Sequence, residues 1–263
     1  MATRLSKALP RDLRFEPTPK RVRAQLRGET VADSGGAILV WEPRRAVPVY
    51  AFPDGDVRTD LLRDSADPLP DAHGAGATFW DVVAGDEVAD NAAWRYADPD
   101  LGGFVALSWE AFDRWLEEDE EVFGHPRDPW HRVDGRRSSR HVRVSLDGEL
   151  LADSHRSTVV FETGLPTRYY VPREDVAMDR LRPSDTVTIC AYKGFASYWS
   201  VGDERDIVWT YEEPFADAPP ILGLVCFFNE KVDIELDGEL QERPESPWSR
   251  RVRSDAPAKA AAD

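Results

Sequence analysis

The chain is short of cysteine, of lysine and of long apolar runs, and each shortage excludes something. Two cysteines in 263 residues, Cys190 and Cys226, cannot build a disulfide framework. No Cys-x-x-Cys and no His-Glu-x-x-His occurs, so no ordinary zinc site is written locally. No run of 18 apolar residues exists, which argues against a membrane-spanning helix. No charged-then-apolar leader is visible, and with so few cysteines a reducing, cytoplasmic setting is the expectation. Nothing in the pattern calls for a metal or a cofactor. Lysine is outnumbered 5 to 28 by arginine, so each lysine inside the chain needs a reason.

What is present is enough for a core: 41% apolar residues, 10% of all residues aromatic. The formal charge is −16, which repels nucleic acid and membrane surfaces by default. That charge is uneven. Residues 1–27 carry a net +6, residues 249–263 a net +2, and the body between them −24. A basic arm on an acidic body has two readings: it docks a partner, or it folds over its own surface.

The chain is also duplicated. Gly28-Glu29-Thr30-Val31-Ala32-Asp33-Ser34 returns as Gly148-Glu149-Leu150-Leu151-Ala152-Asp153-Ser154. Leu39-Val40-Trp41-Glu42 returns as Val159-Val160-Phe161-Glu162, and Tyr50-Ala51-Phe52-Pro53 as Tyr169-Tyr170-Val171-Pro172. Thr78–Val82 faces Ser197–Val201, and Trp94-Arg95-Tyr96 faces Trp209-Thr210-Tyr211. Colinear blocks with drifting offsets imply two homologous domains of about a hundred residues, a normal domain size. The expected boundaries are a basic arm over 1–20, a first domain over 21–123, a Pro-punctuated linker over 124–140, a second domain over 141–245, and a tail over 246–263.

Each unit reads as mainly β. Val142–Leu146 alternates apolar and polar and meets Asp147-Gly148, a strand entering a hairpin. Short β-branched and aromatic runs recur every 8–12 residues, the rhythm of a small sandwich or barrel-like fold. Arg173–Leu181 reads as a helix stopped by Pro183. The first unit is expected to end differently from the second. Trp109, Phe112, Trp115, Leu116 and Phe123 follow helical spacing around the acidic run Glu117–Glu121, which predicts an amphipathic helix with that run as its solvated face.

The motifs of the second unit carry a resemblance. Ala152-Asp153-Ser154, Phe161-Glu162, Arg168-Tyr169-Tyr170-Val171-Pro172, Thr188–Gly194, Ala196-Ser197-Tyr198-Trp199, Trp209-Thr210-Tyr211 and Phe228-Asn229-Glu230 together resemble the bacterial and fungal domain-of-unknown-function family 427, in its tandem form. The resemblance covers residues 20–245. It implies compact β domains of the β-tent or Mss4-like kind, and it carries a nucleotidyltransferase-like label with no established reaction. β-tent proteins often hold a four-cysteine zinc; the cysteine pairs are missing here, so the zinc is not carried over.

The candidate site lies around Cys190-Ala191-Tyr192-Lys193-Gly194. Lys193 is one of two lysines in the body, and Gly194 permits a tight turn beside it, so the pair suits an anion-holding loop. The alternative is a lysine paired with an acidic neighbour such as Glu162. Tyr170, Tyr192 and Trp199 are candidate walls for a planar ligand, or core residues of a β domain. Glu162, Arg168 and Glu230 are further candidate contacts, the carboxylates suiting acid–base work or backbone hydrogen bonds. Cys190 beside a cation is a candidate nucleophile, or an inert thiol. His125 and His131 in the linker are metal candidates, or packing residues. The first-domain counterparts are Glu42, Tyr50, His73 and Trp80, with lysine and cysteine replaced. Three readings stay open: binding of a small anionic or nucleotide-like ligand in the second domain, an enzyme in the same pocket, or a protein-interaction module. A monomer is expected, with a dimer possible, since the duplication already supplies an internal pair.

Overall fold

The computed structural model describes residues 11–69 and 73–246. The chain divides between Asp128 and Pro129 into two units, and each is built on the same plan.

In the first unit, β1 (Arg14–Pro17), β2 (Val22–Leu26), β3 (Glu29–Ser34), β4 (Ile38–Trp41) and β5 (Val49–Pro53) are followed by β6 (Leu62–Asp64), β7 (Thr78–Ala84) and β8 (Glu87–Arg95). Then come β9 (Phe104–Leu107), β10 (Arg114–Glu117) and β11 (Glu120–Val122). They form a seven-stranded sheet in the order β1-β4-β5-β9-β8-β7-β6 and a four-stranded sheet in the order β11-β10-β2-β3.

The second unit repeats this with β12 (Val133–Ser138), β13 (Val142–Leu146), β14 (Glu149–Ser154), β15 (Ser157–Glu162) and β16 (Arg168–Val171). They are followed by β17 (Arg182–Cys190), β18 (Gly194–Val201), β19 (Glu204–Thr210), β20 (Val225–Phe227), β21 (Asp233–Leu236) and β22 (Glu239–Leu240). Its sheets run β12-β15-β16-β20-β19-β18-β17 and β14-β13-β21-β22. The match extends to an irregularity: a register shift falls between Ala24 and Gln25 in the first unit and between Val144 and Ser145 in the second. The expected duplication is thus a structural one.

Alternation explains the layers. In β2, Val22, Ala24 and Leu26 are buried while Arg23 and Gln25 are partly exposed. They join Val31, Leu39, Phe52 and Val105 in a core that draws on both sheets. β4 is buried along its whole length, because the long sheet is covered on both faces. Leu39 and Trp41 face that core, whereas Ile38 and Val40 face a second cluster with Phe79, Trp94 and Tyr96. The period of two places Glu42, the next residue, at the edge of that second cluster. In the second unit Val160 lies with Tyr170, Trp209, Tyr211 and Cys226, and Glu162 follows two residues later.

Four expectations are corrected. No helix ends the first domain: the segment is the hairpin β10–β11, the counterpart of β21–β22. Trp109–Ala111 is a single 3-10 turn, and the apolar spacing beyond it belongs to a strand whose Trp115 and Leu116 are both buried. Glu118 adopts φ +53°, the role that Asp237 fills at +54° in the second hairpin. Arg173–Leu181 is not one helix but two 3-10 turns, Arg173–Asp175 and Met178–Arg180, between extended residues. β1 takes in residues 14–17 of the stretch read as arm, and β12 takes in residues 133–138 of the stretch read as linker; each pairs with an interior strand.

The basic stretch over residues 1–27 does meet the acidic run in part. Lys20 pairs with Glu117, the Arg21 amide donates to Glu118 at 2.9 Å, and Arg23 reaches Asp119 at 3.0 Å. Residues 1–10 of the arm and 247–263 of the tail lie outside the described residues. No helix among the described residues is long and apolar enough to cross a membrane.

Candidate functional site

Glu162 closes β15, and its position on the strand turns its carboxylate toward the Tyr170–Trp209–Tyr211 cluster. Its side chain keeps 7% exposure. One oxygen takes the Nε2 of His131 at 3.0 Å, and the other pairs with the Lys193 ammonium. His131 enters from the segment before β12 and lies flat on Tyr192, with 4.4 Å between ring centres. Lys193 arrives from the turn between β17 and β18, where its amide bonds back to the Cys190 carbonyl at 3.2 Å. Gly194 is required next to it. Its φ is +111°, and a Cβ there would sit 3.1 Å from the Glu213 carbonyl oxygen.

The electrostatics close on themselves. Burial pushes the Glu162 carboxyl up, but the hydrogen bond from His131 and the charge of Lys193 outweigh it and hold the group at about 2. Burial opposes the charge on Lys193, while Cys190 and Glu162 hold its pKa above that of an ordinary lysine. Lys193 is therefore a cation already spent on Glu162, the alternative that its sequence context left open. Burial moves the Tyr170 and Tyr211 hydroxyls well above the usual phenol range. It also takes the Cys226 thiol up to about 12, which makes that cysteine inert.

Of the residues singled out from sequence, the fold brings Glu162, His131, Lys193, Tyr192, Cys190 and Gly194 together and uses the others elsewhere. Arg168 and Glu230 consume each other in a buried fork with contacts of 2.7 and 2.8 Å. The Arg168 guanidinium also stacks on Trp209 and Phe228. Tyr170 is 1% exposed and accepts the Trp209 indole N–H at 3.0 Å, a core contact. Trp199 lies under the guanidinium of Arg173.

In the first domain Glu42 repeats the pattern with different partners. His73 Nδ1 and the Tyr96 hydroxyl both lie 2.6 Å from one carboxylate oxygen. Arg45 Nε lies 2.7 Å from the other oxygen. Burial raises Glu42, and its partners bring it below the ordinary carboxylate value. Tyr50 and Trp80 stand apart from this group. Tyr50 donates to Glu117 at 2.6 Å, and Trp80 donates to Asp64 at 3.1 Å.

Two grooves of the second domain leave out both Lys193 and Glu162. The larger, about 640 Å³, lies at the other end of the β12–β15 ladder, where Ser138 pairs with Ser157. Arg137, Arg156, His155, Ser138, Ser139, Ser157 and Thr158 line it together with Pro220, Leu222 and Leu224. Arg156 is held by Asp175 at 2.7 Å. Arg137 has no acidic partner among the described residues. Ser157 is fully buried, and its hydroxyl lacks a hydrogen-bond partner among them. A second groove of about 460 Å³ shares Arg137 and Ser138, and adds Arg136, Arg140, Phe161 and Tyr169. Sequence reasoning passed over this surface because its arginines read as linker. The available signal was the Arg136-Arg137 pair with no acid within two residues on either side except Asp134.

No cluster of His, Cys, Asp and Glu able to hold a metal occurs among the described residues. A family model described as "Domain of unknown function (DUF427)" matches residues 14–118 and again residues 134–238. No curated protein matches the chain.

Proposed function

We propose, from the premise that the chain belongs to the DUF427 family in both of its halves, that the second domain binds a small anionic ligand in the groove beside Arg137. The observation that carries this reading is an arginine with no acidic partner among the described residues, set in a groove of about 640 Å³ among hydroxyls. In a chain of charge −16, most of the described arginines pair with a carboxylate, and Arg137 is among those that do not. A guanidinium left unpaired beside serine hydroxyls suits a phosphate or carboxylate, which it can take in two parallel hydrogen bonds. His155 lines the same groove, and Arg156 beside it is held by Asp175. Leu222 and Leu224 in the lining suit an apolar or flat body attached to the anion. The anion site expected at Lys193 thus moves to Arg137, because Glu162 neutralises Lys193 from within.

A thermal-shift panel tests the reading. Pyrophosphate, nucleoside diphosphates, sugar phosphates and dicarboxylates are run against the wild type, Arg137→Ala and Lys193→Ala. A ligand at 100 times its Kd adds about 2.7 kcal/mol. The expected result is a stabilisation of the wild type that Arg137→Ala abolishes. Because Lys193→Ala unbalances a buried pair, its own stability falls, but its ligand-induced shift should persist. A shift lost in Lys193→Ala and kept in Arg137→Ala would overturn the assignment, as would no shift with any compound.

A further inference from the structure

Glu42 and Glu162 occupy the same place in the duplicated fold, yet their partners do not correspond. His73 stands on the loop before β7, where the second domain has Lys193. His131 comes from the lead into β12, where the first domain has Arg11. The cation likewise changes segment, from Arg45 after β4 to Lys193 before β18. A carboxylate, an imidazole and a cation have therefore been assembled twice from different residues. Neutralising a buried glutamate requires only the cation; the imidazole is the addition that both domains share.

We infer that these are oriented imidazoles, and that His131 in the second domain is a proton acceptor for a hydroxyl group brought to its free nitrogen. A carboxylate only accepts, so the ring nitrogen that meets it must donate. That fixes N–H at Nε2 of His131 and at Nδ1 of His73, and leaves the lone pair of the neutral ring on the opposite nitrogen. In both rings that opposite nitrogen has no hydrogen-bond partner among the described residues. The rings are held rather than loose: His73 stacks on Trp94 at 3.7 Å, and His131 on Tyr192. Neither is sealed, with 11% and 9% of their side chains exposed. Lys193 keeps Glu162 ionised, so Glu162 orients the ring and stabilises the imidazolium without taking the proton itself. In the step, the O–H bond of the bound hydroxyl breaks, an Nδ1–H bond forms on His131, and the electron pair stays on oxygen. The site is separate from the Arg137 groove, at the opposite end of the same ladder, so it stands or falls independently of anion binding.

The test uses the full chain. Long-range proton–nitrogen NMR of the imidazoles should show His131 as the Nε2–H tautomer and His73 as the Nδ1–H tautomer. Glu162→Gln should release His131 to a mixture without changing His73. Hydrolysis of p-nitrophenyl acetate, used as a probe ester attacked by water, should fall at least tenfold in His131→Gln and hold in His125→Gln. If Glu162→Gln does not fold, the wild-type tautomers and the His131→Gln rate decide alone. The opposite tautomer at His131, or an unchanged rate in His131→Gln, would overturn the inference.

Discussion

At the scale of single residues, the second domain spends most of its unusual side chains on one another. Lys193 answers Glu162, and Arg168 answers Glu230. Removing one partner of a buried pair typically costs about 3–5 kcal/mol, because it strands the other charge. For Glu162 the cost depends on pH with a definite sign. Its folded pKa, about 2, lies below its ordinary value, so its contribution is complete above that ordinary value and is lost as pH falls toward 2. Glu162→Gln is expected to lower stability by about 3 kcal/mol at pH 7 in urea denaturation. The gap to wild type should narrow by more than half at pH 3 and below. An equal gap at pH 7 and pH 2.5 would contradict the account. The pairing of Lys193 with Glu162 was legible in the sequence as one of two options. The role of His131 was not, because a histidine in a Pro-rich, basic stretch gives no sign of the strand end it will meet 31 residues later.

At the scale of elements, turn chemistry decided what could be read. Asp147-Gly148 and Asp237-Gly238 carry positive φ at both residues and announce their hairpins. The equivalent turn at Glu118-Asp119 has no glycine, and its strand holds Trp115 and Leu116 side by side. Helical spacing therefore outscored the hairpin that the fold makes. The two 3-10 turns at Arg173–Asp175 and Met178–Arg180 misled in the same way, since each supplies one turn of helical character. The β17–β18 turn is the element on which the Glu162 centre depends, because it delivers Lys193. Gly194→Ala places a side chain at φ +111° against the Glu213 carbonyl. That substitution should cost about 1–3 kcal/mol, whereas Gly35→Ala, with open space and an ordinary φ, should stay within about 0.5 kcal/mol. Comparison of the two by thermal unfolding checks this. Equal, negligible effects would mean that the turn is not held as described.

At the scale of the whole chain, the duplication was plain in the sequence because the residues that close each core recur in order. What the fold requires is common to both halves: the two sheets, the shifted register near Ala24 and Val144, and the buried glutamate. What differs between the halves is the material for function. The second half has the unpaired Arg137 and its groove, which no repeat comparison could reveal, since the equivalent stretch of the first half carries Glu16 and Pro17 instead of two arginines. The central claim is that anion recognition belongs to that groove and not to Lys193. Amide chemical-shift mapping of the full chain during titration with pyrophosphate tests it most directly. The account predicts saturable shifts confined to residues 137–139, 155–158 and 221–224, absent in Arg137→Ala. Shifts centred on residues 190–194 and Glu162, or none at saturating pyrophosphate, would contradict it.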